Sequence, residues 1–348
     1  PLTLIAMLTL WLLCQGLWLA AEPAWSFGEL RGQWLPALLA LLLGLLVARQ
    51  NECGRLITAI VLVFSAQAAI AVGQSIWHWF LHDVLLTQQV PLTGGKLEMS
   101  FVLNILLAFL AVDLFCRATR RTPLLRLPLA AVMALLLLAL LSSLLSGARN
   151  GIIGILFLVF SSISLFGFDQ RHRLGLLRTL AAATAIVAAL AAFATSSYRI
   201  DQRWQTFVET STIAWDIDRH STWLDASRHP WPKLADGRDV EYSAYTRIAF
   251  IHGGIRVIAE HPLGYGYGRN AFAHALRQQY PNARLGHAHS GWIDLGVGGG
   301  WPALALWAAL IGSLMWRGWI SFFGRYNPHG LLLLFLSTGY AVRMIVDS

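Results

Sequence analysis

The chain has 348 residues, 56% of them hydrophobic and only 13% charged, with a mean hydropathy of +0.57. Soluble domains carry about 25% charged residues, and stretches of about twenty residues without charge are long enough to cross a bilayer as helices. The net charge of +8 does not indicate nucleic acid, because the basic residues stand in short clusters beside apolar runs, as in cytoplasmic loops. The cysteines Cys14, Cys53 and Cys116 all lie outside the one long polar segment, so no disulfide framework holds that segment.

In chain order, nine apolar segments read as membrane spans: 2–20, 34–48, 56–73, 100–116, 124–145, 151–167, 179–195, 292–316 and 329–346. The first is too long for the core of a signal peptide and is followed by further spans, so it reads as a span itself. In hydrocarbon every backbone polar group needs an internal partner, and runs such as Ala131–Leu141 lack the alternation of barrel strands. The expected fold is therefore an all-α polytopic membrane protein, a bundle of transmembrane helices with one large, mostly helical periplasmic segment.

Orientation follows from the arginines. Arg49 and Arg55, then Arg117, Arg120, Arg121 and Arg126, then Arg171, Arg173 and Arg178, then Arg317 and Arg325 flank alternate loops. Nine spans put all four loops on one side, taken as the cytoplasm. The opposite side then holds 21–33, 74–99, the turn Ser146–Asn150 and a long segment ending at Gly291. This gives transmembrane helices with short loops over 1–195, a periplasmic active-site segment over 196–291 and C-terminal transmembrane helices over 292–348, in a multi-pass inner-membrane protein. Within the long segment, Ala244–Glu260 has a helical pattern that places Ile248, Ile251, Ile255 and Ile258 on one side, and His261-Pro262 ends it.

The sharpest motif is Gly286-His287-Ala288-His289-Ser290-Gly291, directly before the span that starts at Trp292. Two histidines at i and i+2 can ligate a metal, but a site needs further ligands and the nearest carboxylate, Asp294, sits one turn into the helix. A structural alternative is polar residues capping a span, with Ser290 as N-cap. A functional reading takes His289 as a base whose imidazole titrates near neutrality, beside a helix N-terminus that favours an anionic group. Asp113 and Arg117 read as a pair within a span, and Arg343 and Asp347 as an i,i+4 pair at the end of the last one. Arg199, Arg203, Arg256, Arg269, Arg277 and Arg284 all lie on the side of the long segment, most of them expected to be solvated or ion-paired.

His289-Ser290, nine residues, then Gly300 and Ala303 resembles the signature of the bacterial O-antigen ligase family, with Ala303 where the family has Gly, Thr or Tyr. Arg247 followed by His261-Pro262-Leu263-Gly264-Tyr265-Gly266-Tyr267-Gly268-Arg269 is similar to a second stretch of that superfamily, an Arg-started helix ending in a Pro-Leu-Gly-x-Gly turn. Glycines there allow φ > 0 and close approach of backbone amides to a ligand. Ser146-Gly147-Ala148-Arg149-Asn150-Gly151 resembles a Ser-x-Ser-Arg-Gly turn of the same proteins. Members usually carry more spans than the nine read here.

The resemblance implies transfer of O-antigen polysaccharide from undecaprenyl pyrophosphate to the lipid A–core oligosaccharide at the periplasmic face, completing lipopolysaccharide without a metal or other cofactor. Its partners would be that lipid-linked donor, that acceptor and membrane lipid, with no nucleic acid. His289 and Arg247 would be catalytic; Arg149, Arg269, His287, Ser290, Gly264 and Gly266 would bind substrate. The chemistry suits these residue types: the leaving pyrophosphate gains charge, and the guanidinium fork binds phosphate oxygens in two places. The rivals are an O-antigen polymerase, a protein O-oligosaccharyl transferase and a transporter of lipid-linked sugars. The loop 74–99 has no Arg, which disfavours the polymerase; the chain is short for the second rival. It also lacks the internal repeat that transporters usually show.

Overall fold

The computed structural model describes residues 1–49, 53–85, 89–147, 154–170 and 206–347, and singly 175, 181, 184 and 188. Among them there is no β-strand; the secondary structure is helical throughout. Six helices are long and apolar enough to cross a membrane: Leu2–Leu19, Pro23–Arg49, Cys53–His82, Lys96–Ala118, Leu129–Ser146 and Gly291–Arg325. The molecule is an all-α multi-pass membrane protein. Gly154–Gln170 is a shorter apolar helix, Pro328–Val346 is a further helix of 19 residues, and most of the expected span 179–195 lies outside the described residues.

Two expected loops turn out partly helical. Residues 21–33 shrink to a short link, because Pro23 stands in the first helical turn, where its fixed φ and missing N–H cost nothing. The helix Cys53–His82 runs well past residue 73, since no breaker intervenes before Asp83 at φ +52. Conversely, the span expected over 124–145 begins only at Leu129, after the extended Pro128, and ends at Gly147 in the left-handed conformation, the usual glycine C-terminus.

The chain forms two compact units. One comprises Leu41–Val187 and Ser313–Arg343. Its core is apolar, with Val61, Leu106, Leu110, Val132, Ala139, Phe322 and Leu331 all buried. Asp113, fully buried, accepts from Arg117 Nε at 2.6 Å and from the Leu125 amide at 2.7 Å, so the charge stays paired. The other unit comprises Pro1–Ala40, Ala188–Gly312 and Met344–Ser348. Its core gathers Trp223, Tyr245, Phe250, Tyr265, Phe272 and Val297, and this unit carries the candidate site.

Candidate active site

The site is built on three pieces of chain. The first is the helix Tyr242–Glu260. The Glu241 carboxylate accepts from the Ala244 amide and caps its N-terminus, and Pro262 prevents its continuation. Arg247 lies in the second turn, half-buried, and has no ion-pair partner among the described residues. Phe250 follows one turn later on the same side.

The second piece is the turn after Pro262, which docks on a break in the helix Gly291–Arg325. Gly300 adopts φ +70 and ψ −171, a conformation open essentially to glycine alone. The break frees carbonyls that the turn uses: the Tyr265 amide donates to Val297 O at 2.8 Å and the Gly266 amide to Gly298 O at 3.0 Å. In return, Trp301 N–H donates to Pro262 O at 3.0 Å. The approach is so close that a Cβ on Gly264 would stand 2.5 Å from Gly298 O, and one on Gly300 would stand 2.4 Å from Pro262 O. The nine-residue spacing from His289-Ser290 to Gly300 thus measures the stretch of helix between the histidines and this joint. Ala303 is fully buried against Leu8 and Leu12, which explains a small residue there.

These contacts also occupy the amides of Gly264 and Gly266. The Gly266 amide is bonded to Gly298, and the Gly264 amide donates to His261 O at 2.9 Å. Both N–H groups are bonded within the joint, where the glycines let two backbones meet.

The third piece is His287–Ser290. His289 has φ +54, uncommon for a residue with a side chain. Its amide donates to Nδ1 of His287 at 3.2 Å, and the two rings lie 4.2 Å apart, edge to face. On its other side the His289 ring stacks parallel to Phe250, centroids 6.1 Å apart. Ser290 is buried, and its hydroxyl donates to Met344 O at 3.1 Å instead of capping the helix. The Asp294 carboxylate accepts from the Ala288 amide at 2.8 Å, and the Gly291 amide donates to Asp347 O at 3.0 Å. The loop is therefore stitched to the first turn of its own helix and to the end of the chain segment 344–347.

Burial lowers the pKa of His289, helped by the positive charge of Arg247 and, less, of Arg269, while Asp347 acts in the opposite direction. His287 is driven further, to about 4, by burial, His289 and Arg269. At neutral pH both imidazoles are neutral, and His289 is the one with the arginine beside it. Arg269 is exposed; its amide donates to Glu29 Oε2 at 3.1 Å, so the helix that begins at Pro23 sets its position. Arg149, Arg199 and Arg203 lie outside the described residues. Arg256 is held in a fork by Asp218 at 2.6 and 2.7 Å, Arg277 donates to the carbonyls of Ala283 and Leu285, and Arg284 stands 3.9 Å from Asp225.

Three participants stand outside the site residues expected from the motifs. Phe250 had a faint signal, one turn beyond Arg247 in an amphipathic helix. Asp347 reads from sequence either as a partner of Arg343 or as a contact of the site, and its effect on His289 favours the second; Arg343 donates to Ser100 Oγ and Leu97 O. Glu22 accepts from the Tyr265 hydroxyl at 3.2 Å and pairs with His274 at 2.9 Å; nothing in its local sequence announces contacts so distant along the chain.

No match was found among curated proteins. A model of the family described as O-antigen ligase matches residues 134–308, half of the chain, from within the helix Leu129–Ser146 through Arg247, the Pro262 turn, His289 and the Gly300 joint. With that match, the chain belongs to the O-antigen ligase family, whose activity is glycosyl transfer of the ligase or polymerase type.

Proposed function

We propose that the protein transfers O-antigen polysaccharide from undecaprenyl pyrophosphate to the lipid A–core oligosaccharide at the periplasmic face of the inner membrane. The observation that carries this reading is the convergence of Arg247 and Arg269 on one half-buried, neutral imidazole, His289, beside the N-terminus of a membrane-spanning helix. A transfer of this kind needs a base for the acceptor hydroxyl and fixed positive charge for the departing pyrophosphate. His289 takes the hydroxyl proton; Arg247, with Arg269 at the exposed edge, meets the phosphate oxygens. The hydroxyl oxygen attacks the anomeric carbon as the bond to pyrophosphate breaks, so a single displacement inverts that centre. His287 accepts from the His289 amide and fixes its backbone. Ser290 acts by holding the loop to Met344, and an Arg-free loop over 74–99 favours the ligase over the polymerase.

The test is transfer by purified protein from lipid-linked donor to acceptor lipid, followed by mass spectrometry. His289→Ala is expected to lower the rate by about 10²–10⁴-fold, the usual worth of general-base help, with folding intact. Arg247→Lys is expected to be nearly as damaging as Arg247→Ala, since a point charge lacks the two-pronged geometry. Wild-type transfer by the His289 variant overturns the assignment. Elongation of the donor polysaccharide in place of attachment to the acceptor lipid makes the enzyme a polymerase.

A further inference from the structure

Within the unit formed by Leu41–Val187 and Ser313–Arg343, the helices Lys96–Ala118, Leu129–Ser146 and Gly154–Gln170 enclose a cavity of about 420 Å³. Ala111, Leu114 and Ala118 recur at helical spacing on one wall; Leu140, Val159 and Ile163 line the others. The wall carries a single hydroxyl, that of Ser162, and its Oγ is buried with no hydrogen-bond partner among the described residues. Water gains too few hydrogen bonds to settle in so apolar a space, and a void of this size left empty forfeits the contacts of every side chain around it. The cavity is partly open, Val159 and Ile163 being exposed, and two of the helices that frame it are of membrane-spanning length. Helices of that length and apolarity lie in hydrocarbon, which is the medium such a mouth would meet.

One end of the cavity is marked by charge. Ala118 lines it, and the chain then turns at Arg120, φ +57. The following loop is pinned back onto the helix end: Arg117 donates to Leu125 O and Leu127 O, and the Leu125 amide donates to Asp113. Two of the four arginines here are engaged. Arg117 is paired with Asp113 and Arg121 with Asp169, and Arg121 also stacks over Phe322 and Tyr326. Arg120 and Arg126 are exposed and have no partner among the described residues. Both nearby carboxylates are already neutralised, so the charge left over at this end is positive.

We infer that this cavity is a site for an anionic phospholipid, its acyl chain lying between the three helices and its phosphate meeting Arg120 and Arg126. Basic residues beside a cleft between membrane helices are a recurrent means of holding such head groups. The site shares no residue with the candidate active site, so it stands or falls independently of the transfer reaction.

The experiment uses the full chain, reconstituted in vesicles of equal phosphatidylglycerol and phosphatidylcholine, extracted in mild detergent and weighed by native mass spectrometry. The wild type is expected to retain one phosphatidylglycerol. In the double variant Arg120→Gln, Arg126→Gln, whose changes are at exposed positions, retention is expected to fall at least tenfold and the preference over phosphatidylcholine to vanish. Ala111→Phe, which fills the cavity, is expected to abolish retention of either lipid; should it not fold, the arginine pair decides alone. Equal retention of the two lipids by the wild type, undiminished retention by the double variant, or retention of a polyprenyl chain in place of the phospholipid overturns the inference.

Discussion

Gly264 and Gly300 face each other's backbone in the unit that carries the site, at φ +91 and +70, with no room for a single added carbon. Gly73, in the other unit, stands in an uninterrupted helix of 30 residues, and nothing lies within 4 Å of where its Cβ would be. The difference shows what each unit is built to do. The first interrupts a membrane helix so that a turn from the polar segment can be bonded to it, and the histidines sit at the head of that interrupted helix. The second also brings two backbones together, a Cβ on Gly318 standing 2.8 Å from Gly330 O, but it does so between helices that remain whole at the contact. Gly264 and Gly300 are required where they stand, whereas Gly73 is merely tolerated.

The largest effect expected from this contrast comes from closing the joint. In Gly300→Ala the new Cβ meets the backbone of Pro262, Leu263 and Gly264 at 2.4 to 2.6 Å, and none of these can rotate away as a side chain can. Strain at such a φ costs about 1–3 kcal/mol, and overpacking against rigid neighbours a similar amount again. Melting in detergent is expected at markedly lower temperature, with transfer lost. Gly264→Ala should reproduce it from the other side of the contact. Wild-type melting and activity in both would show that the joint does not organise the site.

A smaller and more selective effect is expected at Asp347. Its charge raises the pKa of His289 while burial, Arg247 and Arg269 lower it. Removing the carboxylate in Asp347→Asn leaves the lowering influences unopposed, so the pKa of His289 falls further below the ordinary value of about 6.5. The acid limb of the pH–rate profile, where the base becomes protonated, is therefore expected to move to lower pH. The plateau rate is expected to fall, because a base of lower pKa pulls less strongly on the hydroxyl proton. A limb unmoved or shifted to higher pH removes Asp347 from the electrostatics of the site.

How much of this was legible in the sequence follows the same division. The unit of whole helices announces itself, because hydrocarbon forces every uncharged run to be helical and the apolar composition marks the runs. The errors fell at ends, where Pro23 starts a helix early and Pro128 delays one. In the site-bearing unit, the histidine motif stands out by residue type and Arg247 by the family resemblance, and the structure brings His289 and Arg247 within electrostatic reach. What sequence could not reveal was the use of the glycines. A Gly-rich turn reads equally as a cradle for phosphate or as a place for another backbone, and only the position of Gly298–Gly300 distinguishes them. Glu22 escaped for a related reason: its partners Tyr265 and His274 lie far along the chain, and no local pattern records them.

The smallest expected effect is the sharpest test of the comparison. In Gly73→Ala the methyl group enters open space on a straight helix, and the unfolded chain loses conformational freedom that glycine alone possessed. Glycine in a helix interior is disfavoured relative to alanine by about 0.5–1 kcal/mol, so the substitution should raise the melting temperature slightly and leave transfer unchanged. The same chemical change thus carries opposite signs at positions 73 and 300. If Gly73→Ala instead destabilises the protein in a bilayer but not in detergent, a neighbouring helix packs on that face in the membrane. The helix Cys53–His82 would then make a close contact of the kind that Gly264 and Gly300 make.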